Sequence, residues 1–114
     1  MTARHTPSCS TLSMAEVADR LARLDGVRAT AAPEGAVRWS YHGRLVARQL
    51  DDTHLVVRAA FDERDAMLRD FPGTFSVPRR FRRHMLVVAD LGVGDAGAVE
   101  DAIVAAWELQ RAAG

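Results

Sequence analysis

One stretch of the chain is suited to holding an anion, Pro78-Arg79-Arg80-Phe81-Arg82-Arg83-His84. It sets four guanidinium groups around one aromatic ring, in a chain of formal net charge zero. Arginine offers a planar, permanently charged fork that fits phosphate and carboxylate oxygens. The stretch joins two apolar runs, Thr74 to Val77 and Met85 to Ala89, so the charge is expected on a scaffold between two strands. In an extended segment Arg79, Phe81 and Arg83 point one way and Arg80, Arg82 and His84 the other. Two readings are open. As a rail, the arginines track successive phosphates and Phe81 stacks a base. As a hairpin tip, they pair with Asp90, Asp95 or the acids of the last helix, and Phe81 packs beneath the loop. Arg38, Arg44, Arg48 and Arg58, on the predicted strands, extend the candidate surface if the sheet turns them the same way.

Other constellations carry less. Gly92-Val93-Gly94-Asp95-Ala96-Gly97 fits G-x-G-x-x-G between a strand and a helix. A dinucleotide site also needs a following parallel strand with an acid for the ribose. No strand follows this helix, and Asp90 and Asp95 place negative charge where a pyrophosphate would sit. Asp95 reads as a helix N-cap. The histidines, His5, His42, His54 and His84, have no metal-ligand spacing, and no C-x-x-C occurs. Neither a metal nor a cofactor is expected. No G-x-S-x-G elbow is present. The acid pairs Asp51-Asp52 and Asp62-Glu63 fall at turns or helix starts, where acids are common. No catalytic set emerges, and the expectation is a non-enzymatic protein.

Composition agrees with a soluble domain: 114 residues, 48% hydrophobic and 26% charged. All fifteen cations are arginine and none is lysine. They are unevenly placed. Residues 36 to 89 hold ten arginines against six acids, whereas residues 90 to 110 hold five acids and no arginine. A partner at close range meets that local field, not the net charge. The single cysteine, Cys9, excludes an intrachain disulfide and fits a reducing cytoplasm. No apolar run is long enough to span a membrane, and the N-terminus lacks the apolar core of a signal peptide.

Residues 1 to 11 read as a disordered tail and residues 12 to 114 as one domain. Ser13 and Glu16 form a capping box, and Leu12 with Val17 a hydrophobic staple, for a first helix that ends at Gly26. Residues through Pro33-Glu34-Gly35 read as a loop. Three strands follow as a meander: Ala36 to Tyr41, Arg44 to Leu50, and Thr53 to Ala59, with a tight turn at His42-Gly43. On the second of these, Leu45/Ala47 and Val46/Leu50 are both acceptable inward sets. A helix from Asp62 to Asp70, capped by Asp62, stops at Pro72-Gly73. Strands at Thr74 to Val77 and His84 to Asp90 and a helix from Asp95 to Arg111 complete the chain. The order α-β-β-β-α-β-β-α predicts a two-layer α+β fold, with helices packed on a five-stranded antiparallel sheet.

Several segments in this order look familiar: Arg38-Trp39-Ser40-Tyr41-His42-Gly43-Arg44-Leu45-Val46-Ala47, His54-Leu55-Val56-Val57-Arg58, Glu63-Arg64-Asp65-Ala66-Met67-Leu68, and Phe71-Pro72-Gly73-Thr74-Phe75, then a strand and a final helix with Trp107. Together they resemble the MmcQ/YjbR-like family over about residues 12 to 110. The resemblance implies an α+β fold of the YjbR and secretion-chaperone type. It also implies a DNA-binding label, given to that family for its likeness to a double-wing arrangement. It supplies no catalytic residues. The stretch from Arg79 to His84 departs from the family pattern, which often has glycine and an aromatic there.

The expected function is a cytoplasmic module that binds DNA or another polyanion weakly and with little sequence preference. Arg79, Arg80, Arg82 and Arg83 would contact phosphate, Phe81 would stack, and Arg38, Arg44, Arg48 and Arg58 would assist. The alternative is a protein-interaction or small-anion-binding domain, monomeric or homodimeric, in which the arginine stretch of one copy meets the acidic last helix of another.

Overall fold

A computed structural model describes residues 11–113. Of the expected tail only Thr11 falls within them; His5 and Cys9 lie outside the described residues.

The first helix, α1 (Met14–Ala22), begins as the sequence dictates. Ser13 Oγ accepts from the Glu16 amide at 3.1 Å, and Glu16 Oε1 accepts from the Ser13 amide at 2.9 Å. Leu12, Val17 and Leu21 are buried, as the staple and stripe require. The helix closes at Arg23, ahead of Gly26, whose φ of 79° turns the chain into the sheet.

Residues expected to be a loop instead form strand β1 (Val27–Ala31). Four of its five residues are exposed, so no hydrophobic alternation announces it. It exists by pairing along its whole length with β2 (Val37–Tyr41), Val27 opposite Tyr41 and Ala31 opposite Val37. The meander continues through β3 (Arg44–Gln49) and β4 (His54–Arg58). The turn between β2 and β3 has positive φ at both His42 (50°) and Gly43 (83°), the combination that matches strand twist in a two-residue hairpin.

Helix α2 spans Phe61–Asp70, one residue earlier than expected, and Asp62 lies inside it instead of capping it. Strand β5 is only Phe75–Ser76; the segment after it folds as a 3-10 turn over Arg79–Phe81; β6 is Leu86–Asp90, shorter than predicted. Helix α3 (Ala96–Ala112) starts at Asp95, whose carboxylate accepts from the Ala98 amide at 2.9 Å. The result, among the described residues, is an α+β fold with three helices and an antiparallel sheet of six strands, not five, in the order β1-β2-β3-β4-β6-β5. Because the sheet is antiparallel at β6, the glycine-rich segment after it belongs to no βαβ unit. Gly94 is there for space: a Cβ would run into the Asp90 carbonyl oxygen and the Thr74 side chain.

The sheet has two unlike faces. Trp39, Ala47, Leu55, Val57, Val87 and Ala89 face α1 and α3 and form the main core with Val99, Ile103 and Ala106. A bulge resolves the ambiguity of β3. Trp39 pairs with Ala47 and Ser40 with Leu45, so Val46 is the extra residue. Val46 and Ala47 both enter the main core, and Leu45 goes to the other face. On that other face, Val56, Leu86 and Val88 make a small apolar cluster, roofed by Phe81.

The β3–β4 turn is held by Asp51. Its Oδ1 accepts from the amides of Thr53 (2.9 Å) and His54 (2.8 Å) and lies 2.9 Å from His54 Nδ1. The Thr53 amide first, then the His54 ring, hold the Asp51 carboxyl below the usual carboxylate range. A lowered folded-state pKa means stability that is present above the ordinary carboxylate pKa, about 4, and lost as pH falls through the folded value. Urea midpoints measured down an acid series should therefore decline less steeply in Asp51→Asn than in the parent; equal slopes would show that Asp51 contributes nothing.

Candidate nucleic-acid interface

The arginine stretch is not the extended rail: it joins the antiparallel strands β5 and β6, and Phe81 packs beneath it as the hairpin-tip reading has it, without the ion pairs that reading also expects. After Pro78 the backbone winds into the 3-10 turn, with amides of Phe81, Arg82 and His84 returning to Pro78, Arg79 and Phe81 carbonyls. This turn places Phe81 at 6% exposure, in the cluster with Val56, Leu86 and Val88. The stacking role expected of Phe81 is therefore corrected: its ring is the floor of the site and is closed to a base. Burial of such a ring stabilises by about 2–3 kcal/mol, more than the turn gains by leaving it exposed. Arg79, Arg80, Arg82, Arg83 and His84 are exposed.

A fifth guanidinium builds this turn, and the sequence reasoning assigned it no role. Arg64, on α2, is 9% exposed. Its Nη1 donates to the carbonyls of His84 (2.7 Å), Phe81 (3.3 Å) and Leu86 (3.4 Å), and its Nη2 to that of Arg82 (3.2 Å). Its guanidinium carbon also lies 4.9 Å from the centroid of the Phe61 ring. The carbonyls of the turn point inward to Arg64, so four partial negative charges surround one buried cation. The signal was present: Phe61, Arg64, Leu68 and Phe71 are spaced as one helical stripe, and an arginine within an otherwise apolar stripe must find acceptors.

The strand arginines divide between the two faces. Arg38 pairs with Arg48 across β2 and β3, Arg48 with Val56, and Val56 with Val88, all on the face that Phe81 covers. Arg58, between inward Val57 and Ala59 and opposite Leu86, is on that face too. Arg44 is the exception. Its Nη1 reaches the Gln110 carbonyl of α3 at 3.5 Å, so it braces the helix layer and leaves the candidate surface.

The electrostatics of this face are lopsided. The Arg48 and Arg80 guanidinium carbons lie 5.7 Å and 4.7 Å from the centroid of the Phe81 ring. Arg38 stands directly opposite Arg48, a like-charge cross-strand pair that costs stability. Among the described residues, the ion pairs are Arg20–Glu100, Arg23–Asp19, Arg69–Asp70 and His54 with Asp51 and Asp90. None involves Arg38, Arg48, Arg58 or the four turn arginines. The Asp90 and Asp95 pairing considered for the turn is thus not formed. Asp90 faces His54, and Asp95 caps α3. Among the described residues, Arg58 Nε and Arg64 Nε are buried without a hydrogen-bond partner. Such a surface can bind an oxyanion by charge-assisted hydrogen bonds over an apolar floor.

Removing Arg64 should expose how far the turn depends on it. Arg64→Met takes a donor from four inward carbonyls, of which those of Phe81 and His84 keep another, the His84 and Leu86 amides, and should cost about 3 kcal/mol in urea unfolding. Arg64→Lys, a point charge without the fork, should recover only part of this. A loss below about 0.5 kcal/mol, the range of an ordinary surface change, would contradict this account of the turn.

No helix among the described residues is long and apolar enough to cross a membrane. No family model matches the chain, and neither a curated protein nor a solved structure matches it.

Proposed function

We propose that this chain is a non-enzymatic cytoplasmic module that binds nucleic acid, DNA in the first instance, through the arginine-bearing face of its sheet. Binding is weak and reads backbone phosphate, not sequence. Arg79, Arg80, Arg82 and Arg83 on the turn and Arg38, Arg48 and Arg58 on the strands contact phosphate. Phe81 supports them from below. The observation that carries this reading is the Arg38–Arg48 pair beside the Phe81 platform, where guanidinium groups are gathered without a carboxylate among the described residues to neutralise them. A sheet face so arranged carries a standing repulsion that a polyanion relieves. The proposal takes in the likeness to the MmcQ/YjbR-like family, whose DNA-binding label points the same way.

A second reading, a protein-interaction or small-anion-binding domain that pairs with its own copy, draws on the exposed acids Asp101 and Glu108 of α3. They lie on the opposite layer from the arginines, so two copies could meet head to tail. Sedimentation of the purified protein with and without DNA separates the readings. A new faster species only with DNA supports the first, and concentration-dependent association without DNA supports the second.

Salt dependence tests the phosphate contacts. If the turn arginines neutralise four phosphates of a duplex, they should contribute about −3.6 to the slope of log K against log salt, to which the strand arginines add. Joint replacement of Arg79, Arg80, Arg82 and Arg83 by alanine should flatten the slope by that amount, leaving only the shallower dependence due to Arg38, Arg48 and Arg58. Arg44→Gln, on the helix side, should leave the parent slope unchanged. A parent slope near zero, or a quadruple variant with the parent slope, would overturn the proposal.

A further inference from the structure

A cavity of about 390 Å³ opens at the β1–β2 end of the sheet, lined by Gly26, Arg28, Thr30, Ser40, His42 and Gly43. It is separate from the arginine turn, which lies over β4 and β6. Its lining is chemically one-sided. It offers one guanidinium, two hydroxyls and one imidazole, and no carboxylate. The register brings them together. Arg28 pairs with Ser40 and Thr30 with Arg38, so Arg28, Thr30 and Ser40 project from the face that also bears Arg38, the reverse of the helix-covered face on which Trp39 is buried. Among the described residues Arg28 forms no ion pair.

A second observation is independent of the lining. His42 is the one non-glycine residue with positive φ among the described residues, at 50°. A two-residue turn of this kind favours asparagine or glycine at that position, and an imidazole there is held at a cost of about 1 kcal/mol or more. Its place is fixed by neighbours. The Tyr41 ring meets it edge-on with centroids 4.2 Å apart. Gly26 leaves room for the Tyr41 ring, which a Cβ there would strike, while His42 Nε2 would lie at ordinary contact distance, 3.5 Å. The turn would form more easily without the imidazole, and the packing directs it to the cavity wall.

We infer that this cavity is a binding site for a phosphate monoester. Arg28 takes two phosphate oxygens with its fork. Ser40 and Thr30 donate their hydroxyl hydrogens, and a ring nitrogen of His42 donates from the turn. A monoester has three terminal oxygens, and this donor set serves all of them, whereas an internal phosphodiester has only two. The same chemistry is offered by the 5′-phosphate end of a nucleic acid strand and by a small phosphorylated solute.

The test titrates the ¹⁵N-labelled chain with inorganic phosphate, with glycerol phosphate, and with one short oligonucleotide in 5′-phosphorylated and 5′-hydroxyl forms. Saturable millimolar shifts of the Arg28, Ser40 and His42 amides are expected with the first two. Arg28→Gln should weaken binding about tenfold. His42→Asn, which suits the turn and so keeps the fold, should weaken it as well. If the 5′-phosphate raises oligonucleotide affinity and Arg28→Gln removes the gain, the natural ligand is a strand end. If the two oligonucleotides bind alike while glycerol phosphate saturates the site, it is a small solute. Shifts with no saturation, or saturation unaltered in both variants, overturn the inference. That failure is distinct from failure of nucleic-acid binding at the turn, which the salt slope of the turn variants reports separately.

Discussion

The structure turns on Arg64. A helix on the flank of the sheet sends one guanidinium into the inside of a short turn, and four backbone carbonyls close around it. Carbonyls that face inward must find donors or the turn cannot be buried. Arg64 supplies them from one planar group, with the geometry that a lysine lacks. With the carbonyls satisfied inside, the turn seats Phe81 on Val56, Leu86 and Val88 and carries Arg79, Arg80, Arg82 and Arg83 at the surface. One arginine is used as structure so that four others are displayed.

The same logic explains why the two sheet faces differ. The helix side is closed by α1 and α3, and its polar groups are spent on architecture: Trp107 Nε1 on the Asp25 carbonyl, Gln110 Nε2 on the Leu45 carbonyl, Arg20 on Glu100. The other side is covered, among the described residues, around Phe81. There the guanidinium groups of Arg38, Arg48 and Arg80 sit on or beside an aromatic and aliphatic floor. Such a floor keeps cations weakly hydrated and preorganised. Binding an anion there replaces repulsion by attraction while disturbing little of the fold.

Much of this was legible in the residues. The capping box at Ser13, the His42-Gly43 turn, the meander and the Asp95 cap follow from local rules, because each is fixed by neighbours in sequence. Three features were not. Strand β1 has no hydrophobic alternation, since only pairing with β2 holds it. The faces of β3 could not be chosen, because a bulge at Val46 breaks the period of two on which such a choice depends. The choice between rail and hairpin tip stayed open because the shape of the turn is set by Arg64, which is 15 residues before Arg79 in the chain. The candidate site was legible in composition, as a cluster of arginines, but not in geometry. Phe81 moved from ligand to floor, and Arg44 moved to the helix layer.

The most direct test of the central claim observes the guanidinium groups themselves. A ¹H–¹⁵N spectrum of the arginine side chains, recorded as duplex DNA is added, should show the Arg38, Arg48 and Arg80 signals moving together while the signal of buried Arg64 stays fixed. Movement confined to Arg20 and Arg23 on the helix side, with the sheet-face signals unchanged, would contradict the account.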